Sequence, residues 1–172
     1  RQKVEDVWAL RRGMGEAVKA ISAYKEEDTV VPRADLPKLI KGVKDICGKY
    51  GITSICYGHA GDGNLHPLIL FDANLEGDLK RAEAFGQRIM ELCISAGGTI
   101  TGEHGVGVEK LNGMCEQFKP LELSQFLGVK AAFDSAGLLN PGKALPTLHR
   151  CAEFGAMHVH HGKLAFPEIE RF

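Results

Sequence analysis

The stretch Tyr57-Gly-His-Ala-Gly-Asp-Gly-Asn-Leu-His66 constrains this chain more than any other. A strand-like run precedes it (Ile52–Tyr57), and another follows (Leu68–Phe71). The loop between them is rich in glycine, which permits positive φ and close backbone approach. The pattern predicts a hairpin, with strands at about 52–58 and 65–71. Folding back here brings His59 and His66 to the same end of two neighbouring strands. Two imidazoles converging at a strand end are half of a metal site. From the residues alone, two hydrogen-bonded histidines without a metal are an equal alternative. Pro67 predicts an edge position or the first residue of pairing for its strand.

The rest of the chain alternates helical and extended patterns. Helical spacing over 3–22 puts Val4, Val7, Arg11, Met14, Val18 and Ile21 on one stripe. An arginine on an apolar stripe needs a partner, because an unpaired buried charge is costly. A salt bridge, a snorkelling stem and a clamp for a carboxylate all meet that need. Thr29–Val31 reads as a short strand, with Asp28 and Arg33 placed to face the site. A helix follows over Asp35–Tyr50, with Asp35 as its cap, Pro37 in its first turn and Gly51 as its stop. Another covers Asp78–Ala96, with Leu79, Ala82, Phe85, Ile89, Leu92 and Cys93 facing in. Thr99–Thr101 is extended, Leu111–Phe118 is ambiguous with a short helix as one reading, and Pro120–Ser135 is the last helix, with Phe126, Val129 and Phe133 inward. This is an α+β pattern. From about Pro146 periodicity fades, and His149, His158, His160 and His161 crowd the remainder. A domain over 1–146 and a C-terminal arm over 147–172 are expected.

Composition narrows the function classes. A net charge of −1 gives no electrostatic case for nucleic acid or an anionic membrane. No apolar run is long enough to span a bilayer. The five cysteines are odd in number and form no CxxC pair. They are expected to be reduced thiols in a cytoplasmic protein. No GxGxxG follows a strand and no P-loop occurs, so nothing here is built to bind a dinucleotide alone. The chain starts inside a helical pattern, which suggests part of a larger protein.

Glu103 and His104 sit on a second glycine-bounded loop, Thr101-Gly-Glu-His-Gly-Val-Gly107. In an extended segment neighbours point opposite ways. One of the pair can then join His59 and His66, and the other faces the site from another side. Two histidines and a carboxylate form an open set for a divalent metal, with zinc, iron and manganese all suited. Two further readings stay open. One is a metal-binding regulatory or assembly domain without redox activity. The other is a metallohydrolase, for which Asp62 is the nearby carboxylate.

Gly58-His-Ala-Gly-Asp-Gly-Asn-Leu-His-Pro67 resembles the C-terminal domain of FAD-linked 2-hydroxy acid oxidases and dehydrogenases. The 101–107 loop and Gly137-Leu-Leu-Asn-Pro-Gly-Lys143 resemble that family's second and third signatures, and Cys151–His158 is similar to the tail of a bacterial branch acting on glycolate. The resemblance implies a partial ferredoxin-like domain, an antiparallel sheet with helices on one face. It implies His59, His66 and Glu103 as ligands of a divalent metal, and His104 as the group acting on the substrate hydroxyl. It implies Arg11, Asn64 and Arg33 near a small 2-hydroxy acid substrate, and Asn140 near FAD held mainly by another domain. It also implies a second flavoprotein-like subunit and an iron–sulfur subunit as partners, in the cytoplasm or at the inner membrane through them.

Overall fold

The computed structural model describes residues 2–147. The expectations for His149, His158, His160, His161 and the arm over 147–172 fall almost wholly outside these residues. In chain order the elements are α1 (Gln2–Lys19), β1 (Ala23–Glu26), β2 (Thr29–Val30), α2 (Leu36–Tyr50), β3 (Ser54–Tyr57), β4 (Asn64–Phe71), α3 (Asp78–Ser95), α4 (Leu111–Gln117) and α5 (Pro120–Phe133). Short 3-10 turns, Arg33–Asp35 and Ala60–Asp62, precede α2 and β4.

The long strand β4 is the axis of a four-stranded antiparallel sheet. On one side it pairs with β3, from Ser54 opposite Ile69 to Tyr57 opposite His66. On the other it pairs first with β1, from Ala23 opposite Phe71 to Glu26 opposite Leu68, and then with β2, Thr29 opposite Leu65. Pro67 is therefore central, not at an edge. The exception has a visible cost. Pro67 accepts the Glu27 N–H at 3.0 Å but has no N–H to return. The ladder lapses at Glu27 and Asp28, which divides β1 from β2. Strand β1 itself was not expected, because Lys25, Glu26 and Glu27 mask a short alternating strand as a polar connector.

Strand alternation gives the sheet two faces. Leu65 and Ile69 point into a core with Leu39 and Val43 of α2 and Ala82, Phe85, Ile89 and Cys93 of α3. Asn64 and His66 point to the other face. Asp35 does not cap α2 through its side chain. Its backbone is already helical, at φ −92° and ψ −5°, whereas a capping side chain needs an extended backbone.

The expected inward stripes of the first and last helices fail. Of the expected stripe over 3–22 Val18 is buried, whereas Val4, Val7, Met14 and Ile21 are exposed. On α5 Leu123 is the buried residue, and Val129 and Phe133 are exposed. Periodicity marks which face is apolar, not whether anything covers it. Leu79 at the start of α3 is likewise half exposed. Thr99–Thr101 makes a single bridge, Thr99 to Val30, in place of a strand. Cys47, Cys56 and Cys93 are free thiols, as expected.

Gly98 follows α3, its N–H donating back to the Cys93 carbonyl at 3.0 Å, where the chain passes beside β2. A Cβ there would lie 2.2 Å from the Val30 carbonyl oxygen and 2.7 Å from the Cys93 Sγ. Gly48, on the exposed side of α2, has nothing within 4 Å of such a carbon. Urea unfolding is expected to show Gly98→Ala losing about 1–3 kcal/mol. Gly48→Ala should gain up to about 1 kcal/mol from helix propensity. Equal effects would contradict the close approach at Gly98.

Candidate active site

The β3–β4 connection is built to hold His59. The His59 N–H donates to the Asn64 carbonyl at 3.1 Å, and the Asn64 N–H returns to the His59 carbonyl at 3.2 Å. Between them the 3-10 turn closes on Gly63, at φ 75°. Gly63 lies so close to β2 that a Cβ would sit 2.1 Å from the Val31 carbonyl oxygen. Only glycine meets both the positive φ and the contact.

Two residues after Asn64, His66 leaves the same face of β4 and is 2% exposed. Its cross-strand partner Tyr57 stacks on one side of it, with ring centroids 5.2 Å apart. His104 stacks on it at 5.0 Å, and His59 meets it edge-on at 5.7 Å. Glu103 completes the group. Its Oε1 lies 3.3 Å from the His59 Nε2 and 3.2 Å from the His66 Nε2. The sequence places these four residues on two loops, and the fold brings all four together.

One expectation about them is corrected. Glu103 and His104 do not point opposite ways; both reach His66. The 101–105 segment is not extended. It wraps around the Asp28 carboxylate, whose Oδ2 accepts the N–H groups of Gly102, Glu103 and His104, each at 2.8 Å.

The donor set fits a divalent cation. The ligand atoms of His59, His66 and Glu103 lie within 4.8 Å of one another, and Glu26, His66 and His104 form a second such group. Both Nε2 contacts to Glu103 are longer than a charge-assisted hydrogen bond of about 2.7–2.9 Å, so the three donors face a common point without closing on each other. The buried His66 Nδ1 has no hydrogen-bond partner. The carboxylates of Glu26 and Asp28 lie 3.4 and 3.9 Å from it. Two flanking carboxylates favour the proton on Nδ1, which leaves the Nε2 lone pair for a metal.

Glu26 and Tyr57 carry no signal in the hairpin motif and were missed. The alternation of Glu26 with Asp28, opposite the histidine strand, is the clue that would have found Glu26. The Tyr57 hydroxyl donates to Glu26 Oε1 at 2.8 Å. Burial first, and then the Glu26 hydrogen bond and charge, push the Tyr57 phenol up to about 12. An unfolded tyrosine ionises near 10. Between those values the unfolded chain has released a proton that the folded chain keeps, so stability falls as pH rises through the window. Ultraviolet titration is expected to show a phenolate appearing near pH 12 in the folded protein and absent from Tyr57→Phe.

The other expected site residues stand apart or are spoken for. Arg11 is exposed and lies over the Trp8 ring, 5.4 Å from its centroid. Arg33 is exposed in the 3-10 turn beside the Ala60–Asp62 turn. Neither contacts the histidines among the described residues. Asn64 is buried, and its Nδ2 donates to Asp28 Oδ1 at 2.8 Å. Asn140 is exposed at φ 47°, in the turn where its carbonyl accepts the Lys143 N–H. Asp62 is exposed beside His59.

The fold and this loop pair place the chain in a family. It belongs to the FAD linked oxidases as their C-terminal domain, which matches residues 1–144. It is 56% identical over 166 residues to the glycolate oxidase subunit GlcD of Escherichia coli K12, covering 96% of this chain and 33% of that protein. It is 39% identical over 146 residues to the glycolate oxidase subunit GlcD of Bacillus subtilis, covering 83% and 31%. It is 36% identical over 140 residues to a probable mitochondrial D-lactate dehydrogenase of Danio rerio, covering 81% and 27%. The chain thus spans about a third of the length of the curated relatives it matches. No helix among the described residues is long and apolar enough to cross a membrane.

Proposed function

We propose that this chain is the substrate domain of an FAD-dependent 2-hydroxy acid dehydrogenase of the glycolate oxidase type, oxidising the hydroxy acid to the 2-oxo acid. The convergence of His59, His66, Glu103 and His104 on one side of the sheet carries the reading. Family membership and the names of the relatives support glycolate as substrate, with D-lactate as the neighbouring case.

Held by His59 Nε2, His66 Nε2 and Glu103 Oε1, a divalent cation (zinc, iron or manganese) would supply Lewis acidity toward the substrate's carboxylate and hydroxyl oxygens. The FAD, bound mainly by a domain in the longer protein, supplies the hydride acceptor. Everything else falls to side chains of this chain. His104, exposed at the open side of the cluster and braced by its stack on His66, accepts the hydroxyl proton at an imidazole nitrogen. Glu26 sits near the buried Nδ1 of His66 and holds that ring in one tautomer. Arg11 is assigned the substrate carboxylate, which a bidentate guanidinium suits. Its exposure leaves it free to do so; exposed Arg33 is assigned a secondary contact of the same kind, and buried Asn64 a contact through its side-chain oxygen, since its Nδ2 is held by Asp28. Asn140, on an exposed turn, is assigned to the flavin side. The E. coli relative is named as a subunit, which supports assembly with other subunits; we assign these as a second flavoprotein-like subunit and an iron–sulfur subunit, as the family resemblance implies. We place that assembly in the cytoplasm or at the inner membrane through those partners.

The test is a chimera in which this chain replaces the matching third of the E. coli glycolate oxidase subunit. Glycolate-dependent dye reduction at a rate within about tenfold of the parent, a loss of about 1.4 kcal/mol at most, is the expected result. A folded, flavin-loaded chimera that oxidises neither glycolate nor D-lactate would refute the reading and favour a metal-binding domain without redox activity.

A further inference from the structure

We propose that Asp28 is the positioning residue that aims Glu103 and His104 together at His66. The inference deepens the reading above, and only one arm of its test depends on that reading.

Asp28 is placed for this task by the strand register: Glu27 donates to the Pro67 carbonyl, so the alternation of an antiparallel pair turns the Asp28 peptide away from β4. The register places Asp28 across from His66, in the gap where the ladder lapses. Its peptide and its side chain are therefore available to the 100–110 segment. The side chain is buried, at 1% exposure. Its Oδ2 accepts the Thr101 hydroxyl at 3.1 Å and the N–H groups of Gly102, Glu103 and His104. Successive N–H groups converging on one oxygen make an anion nest, here filled from within the chain. The curl that forms the nest is what sends two adjacent side chains the same way.

The other contacts fix the nest against the histidine strand. Oδ1 of Asp28 accepts Asn64 Nδ2 at 2.8 Å, and Asn64 is two residues before His66 on β4. Gly102 allows the close approach, because a Cβ there would fall 2.3 Å from Asn64 Nδ2 and 2.7 Å from Asp28 Oδ1. At the far end of the segment, Lys110 Nζ donates to the main-chain oxygens of Asp28 at 2.9 Å and of Ile100 at 2.8 Å. Both ends of the loop and its centre are thus tied to residue 28. An asparagine at 28 could not reproduce this. Its amide is neutral where several donors converge on a carboxylate, and its nitrogen either meets the nest donors or obliges Asn64 to turn its own amide around.

The test compares the 172-residue chain with Asp28→Asn, by amide hydrogen exchange and by Co2+ titration followed through visible absorption. Exchange at 102–104 is expected to accelerate by about tenfold or more, with amides of β4 and α3 unchanged. The Co2+ dissociation constant should rise about 10–100-fold, with an altered absorption band. Exchange at 102–104 and Co2+ binding both unchanged, within roughly twofold, would overturn the proposal. If the parent binds no Co2+, the metal reading fails and the amide exchange alone decides. If Asp28→Asn does not fold, Thr101→Val takes its place. It removes one donor to Oδ2, and a change of about 2–10-fold in the same readouts is expected. No change there would also overturn the proposal.

Discussion

Lys110→Met is expected to cost about 3–5 kcal/mol of stability, the scale of removing one member of a buried charge group. Lys110 is 5% exposed, and its ammonium donates to the carbonyls of Asp28 and Ile100. It also lies 3.7 Å from Glu27 Oε2. Glu27 is fully buried beneath α3, close enough that a Cβ on Gly86 would lie 2.3 Å from its Oε1. That Oε1 is paired with Lys25 at 2.5 Å, whereas Oε2 has no hydrogen bond. Removing the ammonium leaves Oε2 facing no cation but Lys25 and leaves two buried carbonyls without their donor. Adding Glu27→Leu to Lys110→Met should recover part of the loss, because an apolar pair replaces half of a broken ionic one. Urea unfolding of the single and double variants checks this. A double variant less stable than Lys110→Met would contradict the account of the pair.

The second large effect is a split between two stacked histidines. In the chimera, His66→Ala is expected to lose metal and turnover together, with metal affinity reduced by at least about 100-fold. His104→Ala is expected to keep the metal and lose turnover by about 10²–10⁴-fold, the usual worth of a general base. The two rings are only 5.0 Å apart, so general disruption of the site would hit both alike. The expected difference follows from what each ring faces. His66 is buried with Nε2 toward Glu103, and His104 is exposed and braced against it. Metal content measured beside dye reduction gives the answer, and metal lost from both variants would remove His104 from the role of base.

Much of this site was legible because its parts are local. His59 and His66 are set by one hairpin, and the glycines between them announce the turn. Glu103 and His104 are set by one loop, and their neighbouring glycines announce it too. What was not legible is long-range. The pairing of Pro67 in a central strand depends on a ladder gap 40 residues earlier in the chain. The direction of Glu103 and His104 depends on Asp28, 75 and 76 residues away. The rule that neighbours alternate failed because it assumes an extended backbone, and the carboxylate curls it. The stripes on α1 and α5 failed for a related reason: an amphipathic pattern carries no information about which surface meets it. Lys110 gave no signal at all, since one lysine in a polar run looks solvated until the fold surrounds it.

The measurement closest to the central claim is the metal content of the purified 172-residue chain, taken beside a His59→Ala, His66→Ala double variant. Close to one equivalent of divalent metal is expected in the parent and none in the variant, with both folded. Metal retained by the double variant, or none taken up by a parent soaked in zinc, iron and manganese, would contradict that claim.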